Sequence, residues 1–295
     1  MAPDSRSPLE GTPVAPSLGI RDPQPLQSWS VPSQFSAVGF TVSSGEDLAA
    51  LASQVADRAE TIDAQDGQYL KWAPASGEQL WLQVKRSGDA MGMNPHFEGK
   101  SSVPVLLEAR IARKTHTPLD GTFLAWANPS AGASAGDYPF VFDCPDAATH
   151  DALTLPATLT AQIAAFAQQI TVYPSQQAYD AAQAAQGLPF GSRSFIPSGL
   201  ISPSGEPVTP PESHALFVGQ VIEASERRNA VTGKPFWWAL VDTVGGTFDV
   251  VIDPSLLSTP VDAGHIVSGW FWLSGRLRTP MAPRSGWLRS LTGRG

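Results

Sequence analysis

Chemistry in this 295-residue chain has few residues to start from. The stretch M-G-M-N-P-H-F-E-G brings Asn94, His96, Phe97 and Glu98 close together. An amide, an imidazole and a carboxylate beside a large ring suit the lining of a ligand pocket. His96 would then serve as acid or base near neutral pH. The same residues also fit an Asn-Pro turn in which Phe97 fills a core. A second grouping is Trp237, Trp238, Trp270 and Trp272, accompanied by Arg227, Arg228, Lys234, Arg276 and Arg278. Aromatic faces beside cations can stack the bases of single-stranded nucleic acid. Against that stand Asp242, Asp249 and Asp253 in the same region, and the general preference of strand tryptophans for packing.

Other chemistries find less. The histidines are His96, His116, His150, His214 and His265, with no two at i, i+3 or i, i+4 as a helical metal site would need. Cys144 is the sole cysteine, so neither a disulfide framework nor a cysteine-rich zinc site is expected. Ser198 and Ser268 lack the G-x-S-x-G elbow, and N-A-V-T-G-K (229–234) lacks the leading glycine of a phosphate loop. The expectation is no catalytic residue, no metal and no cofactor.

The elements that must position these residues divide in two. Residues 214–280 read as a small antiparallel β-barrel. Leu216, Val218 and Ile222 alternate with Phe217 and Val221, and P-F-W-W-A-L-V-D-T makes the next strand. Gly245-Gly246 marks a hairpin into a third strand, whose Phe248, Val250 and Ile252 face inward and Asp249, Val251 and Asp253 outward. His265 to Gly275 is a fourth. The set looks like an OB-type barrel, which needs a fifth strand, from Arg276 onward or from Phe195–Ile201.

Residues 34–190 read as a mixed α+β domain. Phe35–Val42 alternates like a strand, and Ser43-Ser44-Gly45-Glu46 starts a helix. Gln68–Trp72 and Glu78–Lys85 are strands, 86–102 is a long loop, and Val103–Ala112, Gly121–Ala127 and Tyr138–Asp143 are further strands. Leu159, Ile163, Phe166, Ala167 and Ile170 mark an amphipathic helix, and Gln176–Gln186 a second one, stopped by Gly187. The strand–helix–strand–turn–strand order over about fifty residues resembles half of a vicinal-oxygen-chelate (glyoxalase-like) module. That resemblance implies single ligands on separate strands, at Glu78 or Gln83 and at Glu108, and a metal-dependent enzyme or small-molecule binder.

The fold class expected is thus α+β. A proline-rich arm (1–33) precedes the first domain, a proline-rich linker (191–213) joins it to the barrel, and a basic tail (281–295) follows. No internal repeat is visible. The net charge is -8, although Glu212 onward carries 7 acidic and 8 basic residues. That balance disfavours nucleic acid as a partner. No apolar run is long enough to span a membrane, and a cytoplasmic location is expected. The leading functional expectation is a non-catalytic binding or structural protein, meeting a protein partner or a second copy through its Trp-rich barrel face.

Overall fold

Ser44 starts helix α1 (Gly45–Ala56) as expected. Its hydroxyl accepts from the Asp47 N–H while the Asp47 carboxylate accepts from the Ser44 N–H, a reciprocal cap. The computed structural model describes residues 34–187, 191–201 and 205–278. The arm (1–33) and the tail (281–295) lie outside them. Among the described residues the protein is mostly β, with thirteen strands in two sheets and two α-helices. Phe35–Val42 is not a strand. It forms a 3-10 turn at Ser36–Val38, ended by Gly39 at φ 80°. The segment plugs into the core, and Asn229 Nδ2 donates to the Val38 carbonyl in place of a strand neighbour.

The first sheet is an antiparallel meander of β1 (Glu60–Ala64), β2 (Gly67–Trp72), β3 (Glu78–Val84) and β4 (Ala90–Phe97). Strand β1 escaped the sequence reading because E-T-I-D-A has so few apolar residues. Strand β4 corrects the loop expected at 86–102. It lies at the edge of the sheet, where Pro95 removes no ladder bond that the fold needs. Every residue of β3 is buried, because the meander has a layer on each side. Leu80 and Leu82 pack with Leu51 and Val55 of α1, whereas Trp81 packs beneath Leu119 and Ala148.

The second sheet holds β5 (Val103–Ile111), β6 (Thr122–Ala127), β7 (Pro139–Asp143) and β8 (Ala157–Tyr173). After helix α2 (Gln176–Gln186) come β9 (Ser194–Ile196), β10 (His214–Arg228), β11 (Pro235–Thr243), β12 (Gly246–Ile252) and β13 (Ile266–Arg278). Strand β8 overturns the amphipathic helix expected there. Alanine favours helix locally, but Ala161, Ile163, Ala165 and Ala167 also alternate, and all four enter the core. Tertiary pairing decides the matter: β8 runs antiparallel to β13 from Thr160–Arg278 to Tyr173–Ile266.

This β8–β13 ribbon closes two rings. In the first, β5, β6 and β7 form a meander, β8 returns beside β5, and β13 runs parallel to β7 at Asp143–Ser274. In the second, β10, β11 and β12 form the meander, β13 returns beside β10, and β8 runs parallel to β12. The fifth strand of the second ring is therefore β8, while β9 lies outside at the edge. The same connection occurs twice, although the sequence shows no repeat. One core fills both rings: Phe123, Phe140, Phe142 and Ile163 belong to the same cluster as Phe217, Phe248, Val250 and Phe271. The segment expected as a linker, 191–213, carries β9 and lies between β8 and β10 of the same sheet.

A matching aspartate clamps each ring. Asp249 on β12 accepts from the backbone N–H of Lys100 and Ser101, just ahead of β5, and from Gln162 Nε2 and Trp238 Nε1. Asp143 on β7 accepts from the Ser213 hydroxyl just ahead of β10, and from Thr122 Oγ1, Arg113 Nη1 and Trp272 Nε1. The backbone lies so close at Gly99 that a Cβ there would stand 2.1 Å from the Asp249 carboxyl. Asp249→Ala would strand four donors, three of them buried, and should lower stability by about 3 kcal/mol. Asp262→Ala, at an exposed loop position, should stay within about 0.5 kcal/mol. Urea denaturation of both variants beside the parent chain measures the difference.

Candidate functional site

Strand alternation turns Gln79, Trp81, Asn94 and His96 of the first sheet toward the outer face of the β8–β13 ribbon. His96 is fully buried there. Its Nδ1 lies 2.8 Å from Ser274 Oγ and its Nε2 2.8 Å from Gln162 Oε1. Gln162 spends its amide N–H groups on Asp249 and the Phe97 carbonyl, so Oε1 accepts. That assigns the His96 proton to Nε2 and leaves Nδ1 to accept from Ser274. Burial, with the positive charge of Arg276 nearby, pushes this imidazole down to about 3. His96 is held as a neutral structural hydrogen-bonding group, away from solvent.

The other three residues of that stretch do not join it in one pocket. Asn94 donates to Asp120, and Phe97 packs against Phe236 and Trp238. Glu98 accepts from Arg276 and Arg278. Glu78 and Gln83 face opposite sides of β3, and Glu108 accepts from Trp126 Nε1, so the three positions named by the glyoxalase resemblance do not converge. Burial raises the Glu78 carboxyl, which accepts from Ser76 and from the Ala230 N–H.

The residues singled out for nucleic acid are dispersed as well. Arg227 stacks on Trp238 at 4.5 Å and donates to the Ser76 carbonyl. Arg228 lies 3.7 Å from Glu226, and Lys234 donates to Thr41. Trp237 is half-buried on the core side, opposite in strand phase to buried Trp238. Trp272 is buried, with its N–H on Asp143. Arg276 is clasped between Asp146 and Glu98. Of this set Trp270 stands most open to solvent among the aromatics.

Around Asp146 the chain gathers further titratable groups. Cys144 Sγ lies 3.2 Å from Asp146 Oδ1, and His150 Nε2 lies 3.7 Å from the same oxygen. Burial pushes the Cys144 thiol well above its usual range. For Asp146, burial acts upward, but His150 and the Arg276 guanidinium hold the carboxyl well below the ordinary carboxylate range.

A cleft of about 710 Å³ opens between the loop after β5 and the segment leading into β10. Arg113, Lys114, Pro210, Glu212, His214 and Trp272 line it. Arg113 is committed to the Pro211 carbonyl, Ser213 and Asp143. His214 leads outward, its ring 5.0 Å from Trp270. From Trp270 the ladder continues to Leu216 and Ile196, directly opposed on three neighbouring strands. These three are 39%, 39% and 37% exposed, an apolar row continuous with the cleft. Sequence reasoning missed Asp143, Arg113, Ser213 and Gln162. The available signal was the repeated pair Phe142-Asp143 and Phe248-Asp249 at the third strand of each ring.

The state of His96 has a measurable consequence. In the unfolded chain this group titrates near 6.5, about the ordinary histidine value, so below that pH the unfolded state takes up a proton that the fold refuses. Its contribution is complete above about pH 6.5 and is lost as pH falls toward 3, at up to about 1.4 kcal/mol per pH unit. Denaturant unfolding at a series of pH values should show that slope, and His96→Gln should flatten it. Compared with protein-family models, curated proteins and solved structures, the chain shows no match.

Proposed function

We propose that this chain is a non-catalytic binding protein, built on two OB-type rings, which docks a polypeptide partner across its β9–β10–β13 face. The observation that carries this reading is the exposed row Ile196–Leu216–Trp270, continued through His214 into the cleft above Trp272. Apolar side chains aligned across strands beside a concave pocket suit the alternating contacts of a protein segment. The OB-type reading is supported by the strand order. Each ring has a three-strand meander, a fourth strand beside the first and a fifth parallel to the third.

Rings of that type commonly take oligonucleotides or oligosaccharides. A protein partner fits this chain better, because Arg276, Arg278, Arg228 and Arg193 already face acids and the net charge of -8 opposes phosphate. The groups suited to proton transfer or nucleophilic attack, His96 and Cys144, are sequestered by burial.

A photo-crosslinking residue placed at Leu216 in cells should yield a discrete protein adduct. The same residue at Asp262 should not, and Trp270→Ala should cut the yield several-fold. An adduct of twice the chain mass would identify the partner as a second copy. Equal labelling at both positions would rule the docking face out, and tight, salt-sensitive binding of single-stranded DNA would replace it with the nucleic-acid reading.

A further inference from the structure

We propose that Cys144, Asp146 and His150 form a binding site for a divalent transition ion of the zinc class, independent of the docking face above. One donor atom from each residue lies within 4.8 Å of the other two. The donors are a thiol, a carboxylate and an imidazole, the mixed set that borderline ions accept. A tetrahedral zinc ion, with bonds of about 2.3 Å to sulfur and about 2.0–2.2 Å to nitrogen and oxygen, needs its nitrogen and oxygen donors roughly 3.3–3.5 Å apart and its sulfur roughly 3.6 Å from each. Cys144 Sγ stands 3.2 Å and His150 Nε2 3.7 Å from Asp146 Oδ1, each within a few tenths of an ångström of the required spacing, and sulfur and nitrogen lie within 4.8 Å of each other.

Three further features point to the same atoms. His150 Nε2 is buried and makes no hydrogen bond, its nearest acceptor being Asp146 Oδ1 at 3.7 Å, an arrangement that an ion coordinated between the two resolves. Asp146 Oδ2 is fixed by the Arg276 guanidinium at 2.9 and 3.0 Å, which leaves Oδ1 facing sulfur and nitrogen. Such outer contacts orient a carboxylate ligand. The turn carrying the donors is itself anchored: Arg110 donates to the Ala147 and His150 carbonyls, and the Ala148 N–H donates to Tyr69 Oη. The 3-10 turn Ala147–His150 sets Asp146 and His150 on one side.

A cavity of about 230 Å³ lined by Gly121, Cys144 and Pro145 adjoins the site, and a water there would fill the fourth position. On binding, the Cys144 S–H bond breaks, a sulfur–metal bond forms and the proton passes to solvent. His150 coordinates as neutral imidazole through the Nε2 lone pair, with its proton on Nδ1.

Cobalt(II) is the probe. Cys144 is the sole cysteine, so any thiolate-to-cobalt charge-transfer band must report this residue. The full-length chain, stripped with chelator, should bind one Co2+ with such a band, and Zn2+ should displace it. Cys144→Ser should abolish the band, and His150→Ala should weaken binding by about tenfold or more. His116→Ala, which alters the neighbouring cavity without touching a donor, should leave binding unchanged. A parent chain that shows no band on Co2+ addition overturns the site, whether or not the variants fold. So does a His150→Ala protein, folded by circular dichroism, that binds Co2+ as tightly as the parent.

Discussion

Neither five-strand ring can close from its own stretch of chain, and the rest of the architecture follows from that constraint. The meander β5–β6–β7 with β8 lacks a strand beside β7, and β10–β11–β12 with β13 lacks one beside β12. Each is completed by the last strand of the other. The ribbon of β8 and β13 therefore has to be long, and β8 runs for 17 residues. It must also present apolar side chains to a core common to both rings. The two aspartate clamps lock the exchange: Asp249 of one ring holds the lead-in to β5 of the other, and Asp143 returns the arrangement for β10.

The opposite face of the ribbon then needs a cover, and the first sheet supplies it. That contact is unusually polar for an interior. Gln162, Ser274 and His96 are all buried; His96 bridges Ser274 and Gln162, and Gln162 passes the network on to Asp249 and the Phe97 carbonyl. A buried polar layer is tolerated only when its donors and acceptors meet. Side-chain identity in this layer is thus fixed by hydrogen-bond complementarity more tightly than by volume. The same covering leaves the far side of the second ring open, where the exposed row Ile196–Leu216–Trp270 lies, because α2 shields Val218 and Ile266 but stops short of Leu216 and Trp270.

Much of this was legible locally and little of it globally. Helix α1 announced itself by its Ser-x-x-Asp cap, α2 by Ser175 and Gly187, and β10 to β13 by alternation and the Gly245-Gly246 turn. Strand β8 did not, because alanine spacing satisfies a helical period and a strand period at once. Asp249 illustrates the same limit at the site. Period two placed it correctly on the outer face of β12, and polarity suggested solvent, yet a second layer buries it completely. The Trp residues of the barrel were assigned to the right strands, whereas Arg227 and Arg228 lie on β10 and Arg276 and Arg278 extend β13 beyond the expected end at Gly275; which faces carry a cover depends on contacts from residues 36–100. Convergence of Cys144, Asp146 and His150 needed a 3-10 turn, which has no strong sequence signature.

The exchanged strands also impose an order of events on the newborn chain. Phe166 of β8 finds its partner in Trp272, 106 residues later (272 − 166). Until β12 and β13 emerge, the first ring is an open meander whose β8 edge offers unpaired backbone groups to any strand nearby. Folding of such distant pairs is slow, because loop closure precedes any gain from the contacts it allows. The completed molecule gains the converse property: no ring can open without depriving the other of a wall, so both should melt in one cooperative step.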